Sequence, residues 1–68
     1  MSGTEFVRRV RRYAGNAGLE FRFERSAGKG SHGRLHLGGK TTSVKRSEIG
    51  KGLLAAMLKE LEIRKEEL

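Results

Sequence analysis

The sequence predicts an α+β domain in the order α-β-β-β-α, with a three-stranded antiparallel sheet and two helices on one face. Apolar residues recur at helical spacing near both ends of the chain and at every second position in the middle. A Gly-Gly pair separates two of the middle segments, as in a tight hairpin. A chain of 68 residues is short for more than one core, so we expect residues 1–68 to form a single domain.

The first helix is predicted from an apolar stripe that starts near the N-terminus. Ser2 followed by Glu5 is typical of a capping box, and Gly15 and Gly18 indicate where the helix frays and stops. The arginines of this segment fall on the outer side. The positions that share the inner side are Phe6, Val10, Tyr13, Ala14 and Ala17.

Three strands are predicted after this helix. Residues 19–25 alternate with period two, which directs Leu19, Phe21 and Phe23 to a core. After a glycine-rich loop at 26–31, a second alternation runs from His32 to Leu37. Gly38-Gly39 predicts a hairpin turn, and the β-branched residues 41–44 predict the third strand.

A second helix is predicted from about Lys51 to Ile63, with Gly50 and Gly52 at its start. Lysines, glutamates and an arginine of this segment lie toward solvent, and we interpret Met57 as core filler. The apolar stripe consists of Leu53, Leu54, Met57, Leu58 and Leu61. Both helices are expected to cover the apolar face of the sheet.

Positive charge is concentrated in the middle of the chain. The net charge is +7, and residues 25–46, which we call the basic window, hold six cations and no acid. Such a localised footprint favours a nucleic-acid partner, although a solvated basic loop is the simpler alternative. The six cations are Arg25, Lys29, Arg34, Lys40, Lys45 and Arg46.

Composition excludes several classes of protein. There is no cysteine, so disulfides and thiolate metal sites are excluded, and a cytoplasmic location is expected. The longest apolar run, residues 53–58, is too short to span a bilayer, and the N-terminus lacks the apolar core of a signal peptide. We therefore expect no contact with membranes.

Two motif interpretations of the glycine-rich segment are weak. Residues 28–33 match G-x-G-x-x-G, but that fingerprint needs a helix directly after it, and here a strand follows. A Walker loop is also disfavoured, because Lys29 is followed by Gly30. His32 and His36 would lie roughly 13 Å apart on a strand, and no acid lies between residues 25 and 46, so a local metal site is disfavoured as well.

The second strand carries the candidate site. If Leu35 and Leu37 face the helices, period two places His32, Arg34 and His36 together on the uncovered face. Imidazole and guanidinium groups on a basic face could contact phosphates and move protons. The alternative for His32 is an ordinary polar surface residue.

The middle and C-terminal parts of the sequence also resemble a known protein family. Gly30-Ser31-His32, a short strand, the Gly-Gly turn, and residues 48–52 leading into residues 53–58 are similar to the HicA toxins of bacterial toxin–antitoxin pairs. The resemblance covers most of the chain, to about Ile63. It implies a double-stranded-RNA-binding-like fold, mRNA cleavage with His32 as the catalytic histidine, and neutralisation by a cognate HicB antitoxin.

Two departures from the family pattern stand out. Many HicA sequences carry a second histidine where this chain has Gly33, which leaves a helper role to His36 or to no residue. Many also have a proline before the last helix, and this chain has none.

The chemistry expected of such a site needs neither metal nor cofactor, because RNA supplies its own 2′-hydroxyl nucleophile. His32 suits the base, since the unperturbed pKa of histidine is near 6.5. Arg34 and Lys29 could hold the phosphate, and His36 or Lys29 could be the acid. Period two also places Glu24 on the outer face, where it could lie near His32. Further RNA contacts are expected from Lys40, Lys45 and Arg46.

Two other classes of function remain open. A non-catalytic double-stranded-RNA-binding module would share the α-β-β-β-α order, although its last helix should start with several lysines. The corresponding segment here, residues 50–56, has only Lys51. A structural protein whose basic face meets an acidic partner is the second alternative.

Overall fold

A computed structural model describes residues 1–25 and 32–68. The helices and strands are α1 (Gly3–Ala17), β1 (Phe21–Arg25), β2 (His32–Leu37), β3 (Lys40–Lys45) and α2 (Lys51–Leu61), followed by a short 3-10 turn (Lys65–Glu67). The strands form one antiparallel sheet in the order β1-β2-β3. The predicted α+β fold with the order α-β-β-β-α is confirmed.

Helix α1 has a side-chain cap at its N-terminus and a backbone cap at its C-terminus. The Ser2 hydroxyl accepts a hydrogen bond from the backbone N–H of Glu5 at 3.1 Å. Gly18 ends the helix with φ 70°, a left-handed conformation that glycine adopts at little cost. The predicted stop at Gly18 is confirmed, and Gly15 lies in the last turn of the helix.

The turn between β2 and β3 is the predicted two-residue hairpin. Gly38 and Gly39 have φ values of 53° and 91°, and both lie in the region that residues with side chains rarely adopt. Leu37 then pairs directly with Lys40. Positive φ at both central residues is the geometry that matches the natural twist of the two strands.

The two helices cover one face of the sheet. Gly33, Leu35 and Leu37 of β2 and Thr42 and Val44 of β3 are buried on that face. From α1 and α2 the core receives Phe6, Val10, Ala14, Met57, Leu58 and Leu61. The alternation within β2 therefore has the predicted direction, with apolar residues inward and the histidines and Arg34 outward.

Three apolar side chains that the sequence assigns to the core are instead exposed, and the first of them is Ala17 at the end of α1. Leu19 is 41% exposed because β1 starts only at Phe21, which leaves Leu19 against the Gly38 turn. Leu53 is 45% exposed at the open side of α2. Helix α2 ends at Leu61, where Glu62 turns the backbone with φ 57°, and Ile63 reaches the core from beyond the helix.

The start of α1 is fastened to the connection between β3 and α2. The Gly3 N–H donates to the carbonyls of Arg46 and Ser47 at 3.2 and 3.0 Å. The Ile49 N–H donates to the Met1 carbonyl at 2.7 Å. A Cβ on Gly3 would lie 1.5 Å from the Lys45 carbonyl oxygen, so only glycine fits at this crossing.

None of the helices described here is long and apolar enough to cross a membrane.

Candidate nucleic-acid interface

The face of the sheet opposite the helices, here called the open face, is a grid of polar side chains. Antiparallel pairing places His32 opposite Lys45 and His36 opposite Thr41. Because paired residues point to the same side of a sheet, the residues of three strands meet there. The open face consists of Arg22 and Glu24 of β1, His32, Arg34 and His36 of β2, and Thr41, Ser43 and Lys45 of β3.

A shallow depression of about 400 Å³ lies at one end of the open face. His32 and Arg34 are exposed at it, as the sequence predicts. The remaining lining comes from Glu24 and Arg25 of β1, Gly33 of β2 and Ser43 of β3. Glu24, which the sequence places on the outer face, lines this depression together with His32.

Glu24 lines the depression and contacts the ring of His36. Its carboxylate lies 2.9 Å from His36 Nε2 and forms an ion pair with Arg22, while its backbone pairs with Arg34. The hydrogen bond from His36, followed by that from Arg22, holds the pKa of Glu24 below its usual range. Glu24 is therefore ionised at neutral pH and balances part of the positive charge around it.

Gly33 is required by packing rather than by turn geometry. A Cβ at this position would lie 2.5 Å from Cζ of Phe23 and 2.9 Å from the Glu24 carbonyl oxygen. The Phe23 ring thus occupies the space beside β2 on the helix side. A histidine in place of Gly33 would point away from the open face and would displace that ring.

The cations of the basic window occupy different places. Arg34 and Lys45 share the open face, and Arg46 is exposed just after β3. Arg25, at the end of β1, also lines the depression, although its partner Gly33 is buried on the helix side. Lys40 lies on the helix side, because its partner Leu37 is buried there, and its ammonium is 3.7 Å from a Glu62 carboxylate oxygen. Lys29, with Gly30 and Ser31, lies outside the described residues.

The described residues were compared with the requirements of a metal site, and the chain with known proteins. Within residues 1–25 and 32–68, no group of three or more histidines or carboxylates could hold a metal ion. No protein-family model, curated protein or solved structure matches the chain. The open face and the residues that form it are therefore the features of the molecule that bear on function.

Proposed function

We propose that this protein is an RNA-cleaving toxin, an mRNA interferase of the HicA type, that acts in the cytoplasm and is neutralised by a HicB-like antitoxin. The observation that carries the proposal is the pairing of an exposed histidine with cations on an uncovered sheet face. His32 and Arg34 line one depression, and Lys45 pairs with His32 across the sheet. The resemblance to HicA toxins around Gly30-Ser31-His32 supports the same activity.

The proposed reaction starts from the 2′-hydroxyl of RNA. Neutral His32 takes its proton, and the 2′-oxygen attacks the adjacent phosphorus. Arg34 lies two residues along the strand from His32 and holds the phosphate oxygens as negative charge develops on them. The products are a 2′,3′-cyclic phosphate and a free 5′-hydroxyl.

The reaction is proposed to need no metal ion. Two-metal hydrolysis of phosphodiesters needs several carboxylates that converge on one point. Among the described residues that line the depression there is one carboxylate, Glu24, and its oxygens are engaged by Arg22 and His36. Proton transfer by histidine is the chemistry that the remaining side chains support.

The test is cleavage by the purified chain in the presence of a chelator. We expect the wild type to cut RNA, to leave a strand with a 2′-deoxy residue at the cut position intact, and to produce 5′-hydroxyl ends. His32→Ala should lose cleavage and growth inhibition while keeping its fold, because His32 is exposed and its loss opens no cavity. Lys59→Ala, which removes an exposed cation of α2, is the control.

Three results would contradict the proposal: loss of cleavage in chelator, cutting of the deoxy strand, or an active His32→Ala variant. Stable binding of duplex RNA without any cleavage would favour the double-stranded-RNA-binding module instead. That alternative is weakened by the start of α2, where Lys51 is the only cation of the first turn. Capture of an acidic protein by an inactive chain would favour the structural alternative.

A further inference from the structure

We propose that His36 is the general acid of this RNA cleavage and that Glu24 is the residue that positions it. The inference rests on the proposed function and deepens it, because it assigns the proton that the leaving 5′-oxygen needs. The carrying observation is the 2.9 Å contact between His36 Nε2 and the Glu24 carboxylate on the open face.

The order of side chains along β2 suits an in-line displacement. Arg34 lies between His32 and His36 on the same face, roughly 6 to 7 Å from each along the strand. A phosphate held by Arg34 therefore has one imidazole on each side. In-line attack requires the incoming and leaving oxygens on opposite sides of phosphorus, so a base at His32 and an acid at His36 satisfy this geometry.

The contact with Glu24 also decides which ring nitrogen of His36 is free. An ionised carboxylate only accepts hydrogen bonds, so Nε2 must carry a proton and donate a hydrogen bond to Glu24. Nδ1 is then the atom that gains and releases a proton. The charged form of the ring donates from Nδ1, while Glu24 stabilises the positive charge and fixes the ring orientation.

The charges around His36 come from two strands of the sheet. From β1, Arg22 pairs with His36 in the register and Glu24 contacts its ring. Along β2, Arg34 is the nearest charged residue, whereas the facing residues of β3, Thr41 and Ser43, are uncharged. The Glu24 carboxylate is therefore the one negative group of the described residues placed against the His36 ring, at 2.9 Å from Nε2.

The proposed step balances in atoms and charge. His32 takes the proton of the 2′-hydroxyl, the bond from the 2′-oxygen to phosphorus forms, and the bond from phosphorus to the 5′-oxygen breaks. His36 gives its Nδ1 proton to that 5′-oxygen. Exchange of one proton each with water then restores neutral His32 and charged His36.

The first experiment tests the Glu24–His36 pair without any RNA. Carboxyl carbon NMR should show that the pKa of Glu24 is below the usual 4.5 in the wild type and rises toward it in His36→Ala. His32→Ala is the matched control and should leave the pKa of Glu24 unchanged. Ring nitrogen shifts should place the proton of neutral His36 on Nε2. An unchanged Glu24 titration in His36→Ala would refute the pair.

The second experiment uses RNA whose leaving 5′-oxygen is replaced by sulfur, a leaving group that needs no proton. On ordinary RNA, His36→Ala and Glu24→Gln should each cut about 100-fold more slowly than the wild type or worse, the usual size of a general-acid contribution. On the sulfur substrate both losses should largely disappear, while His32→Ala remains inactive. Glu20→Gln removes the same charge from an exposed residue just before β1 and is the matched control.

The possible outcomes separate this inference from the proposed function. Equal losses of His36→Ala on both substrates, in a wild type that cleaves RNA, would refute the general acid and leave the proposed function standing. A wild type that cuts neither substrate would refute both. Rescue of His36→Ala but not of Glu24→Gln would keep the acid and remove the positioning role of Glu24.

Discussion

Replacing Gly33 by alanine should destabilise the protein through a single steric conflict. The added Cβ would lie 2.5 Å from Phe23 Cζ and 2.9 Å from the Glu24 carbonyl oxygen. Both distances are shorter than those at which Cβ atoms contact other heavy atoms in proteins. The Phe23 ring or the β1 backbone must move, and overpacking of this kind costs about 1–3 kcal/mol. At about 2 kcal/mol, a domain of this size should lose roughly 8–16 °C in Tm.

The assay is thermal and urea unfolding followed by circular dichroism, with Gly15→Ala as the control. A Cβ on Gly15 meets nothing within 4 Å, and alanine is the better helix former, so this variant should gain about 0.5–1 kcal/mol. The double variant Gly33→Ala/Phe23→Leu should lose less stability than the sum of its two single changes, because the smaller side chain relieves the conflict.

A Gly33→Ala variant as stable as the wild type would refute this reasoning. Unchanged stability would mean that the Phe23 ring does not lie beside residue 33. The register that pairs Glu24 with Arg34 would then be wrong as well, since the same strand pairing determines both.

Three further predictions concern charge. Lys45→Ala should reduce the slope of log affinity against log salt for single-stranded RNA by roughly 0.7 in an inactive variant, whereas Lys40→Ala, on the helix side, should leave it unchanged; equal effects would contradict the two placements. The cognate antitoxin should be acidic, raise the Tm of the complex and protect residues 32–37 from hydrogen exchange; protection of α1 alone would refute occlusion of the site. The hydrogen bond from Arg9 holds the pKa of Glu5 below 4.5, so Glu5→Gln should reduce stability at neutral pH. That difference should vanish as pH falls through the lowered pKa, and a difference that persists in acid would contradict the ion-pair origin.

The face of each β2 residue could be predicted from the sequence because strand periodicity is strict. Once Leu35 and Leu37 are assigned to the core, His32 and His36 have only the other side available. The exposure of Leu19 could not be predicted in this way, because alternation alone does not determine where a strand begins. The side of Lys40 was predictable in principle, since a two-residue turn after Leu37 places Lys40 on the same side as Leu37.

The contact between Glu24 and His36 could not be predicted from the sequence. It depends on the register between β1 and β2, and the six residues that join them do not determine which positions face each other. Alternation indicated only that Glu24 was on the outer face. The pairing of Arg22 with His36 is what brings the neighbouring Glu24 carboxylate to the His36 ring.

The fastening of Gly3 to the connection after β3 has a consequence for how the chain reaches its native state. The β2–β3 pairing joins neighbours in sequence, so its loop-closure entropy is small. The bonds of Met1 and Gly3 instead join residues more than forty positions apart, and such contacts repay their entropy only after the chain is compact. We expect the three-stranded meander to form early and the start of α1 to dock late, so that part of the apolar face of the sheet stays exposed to other chains until residues 1–3 meet the connection between β3 and α2.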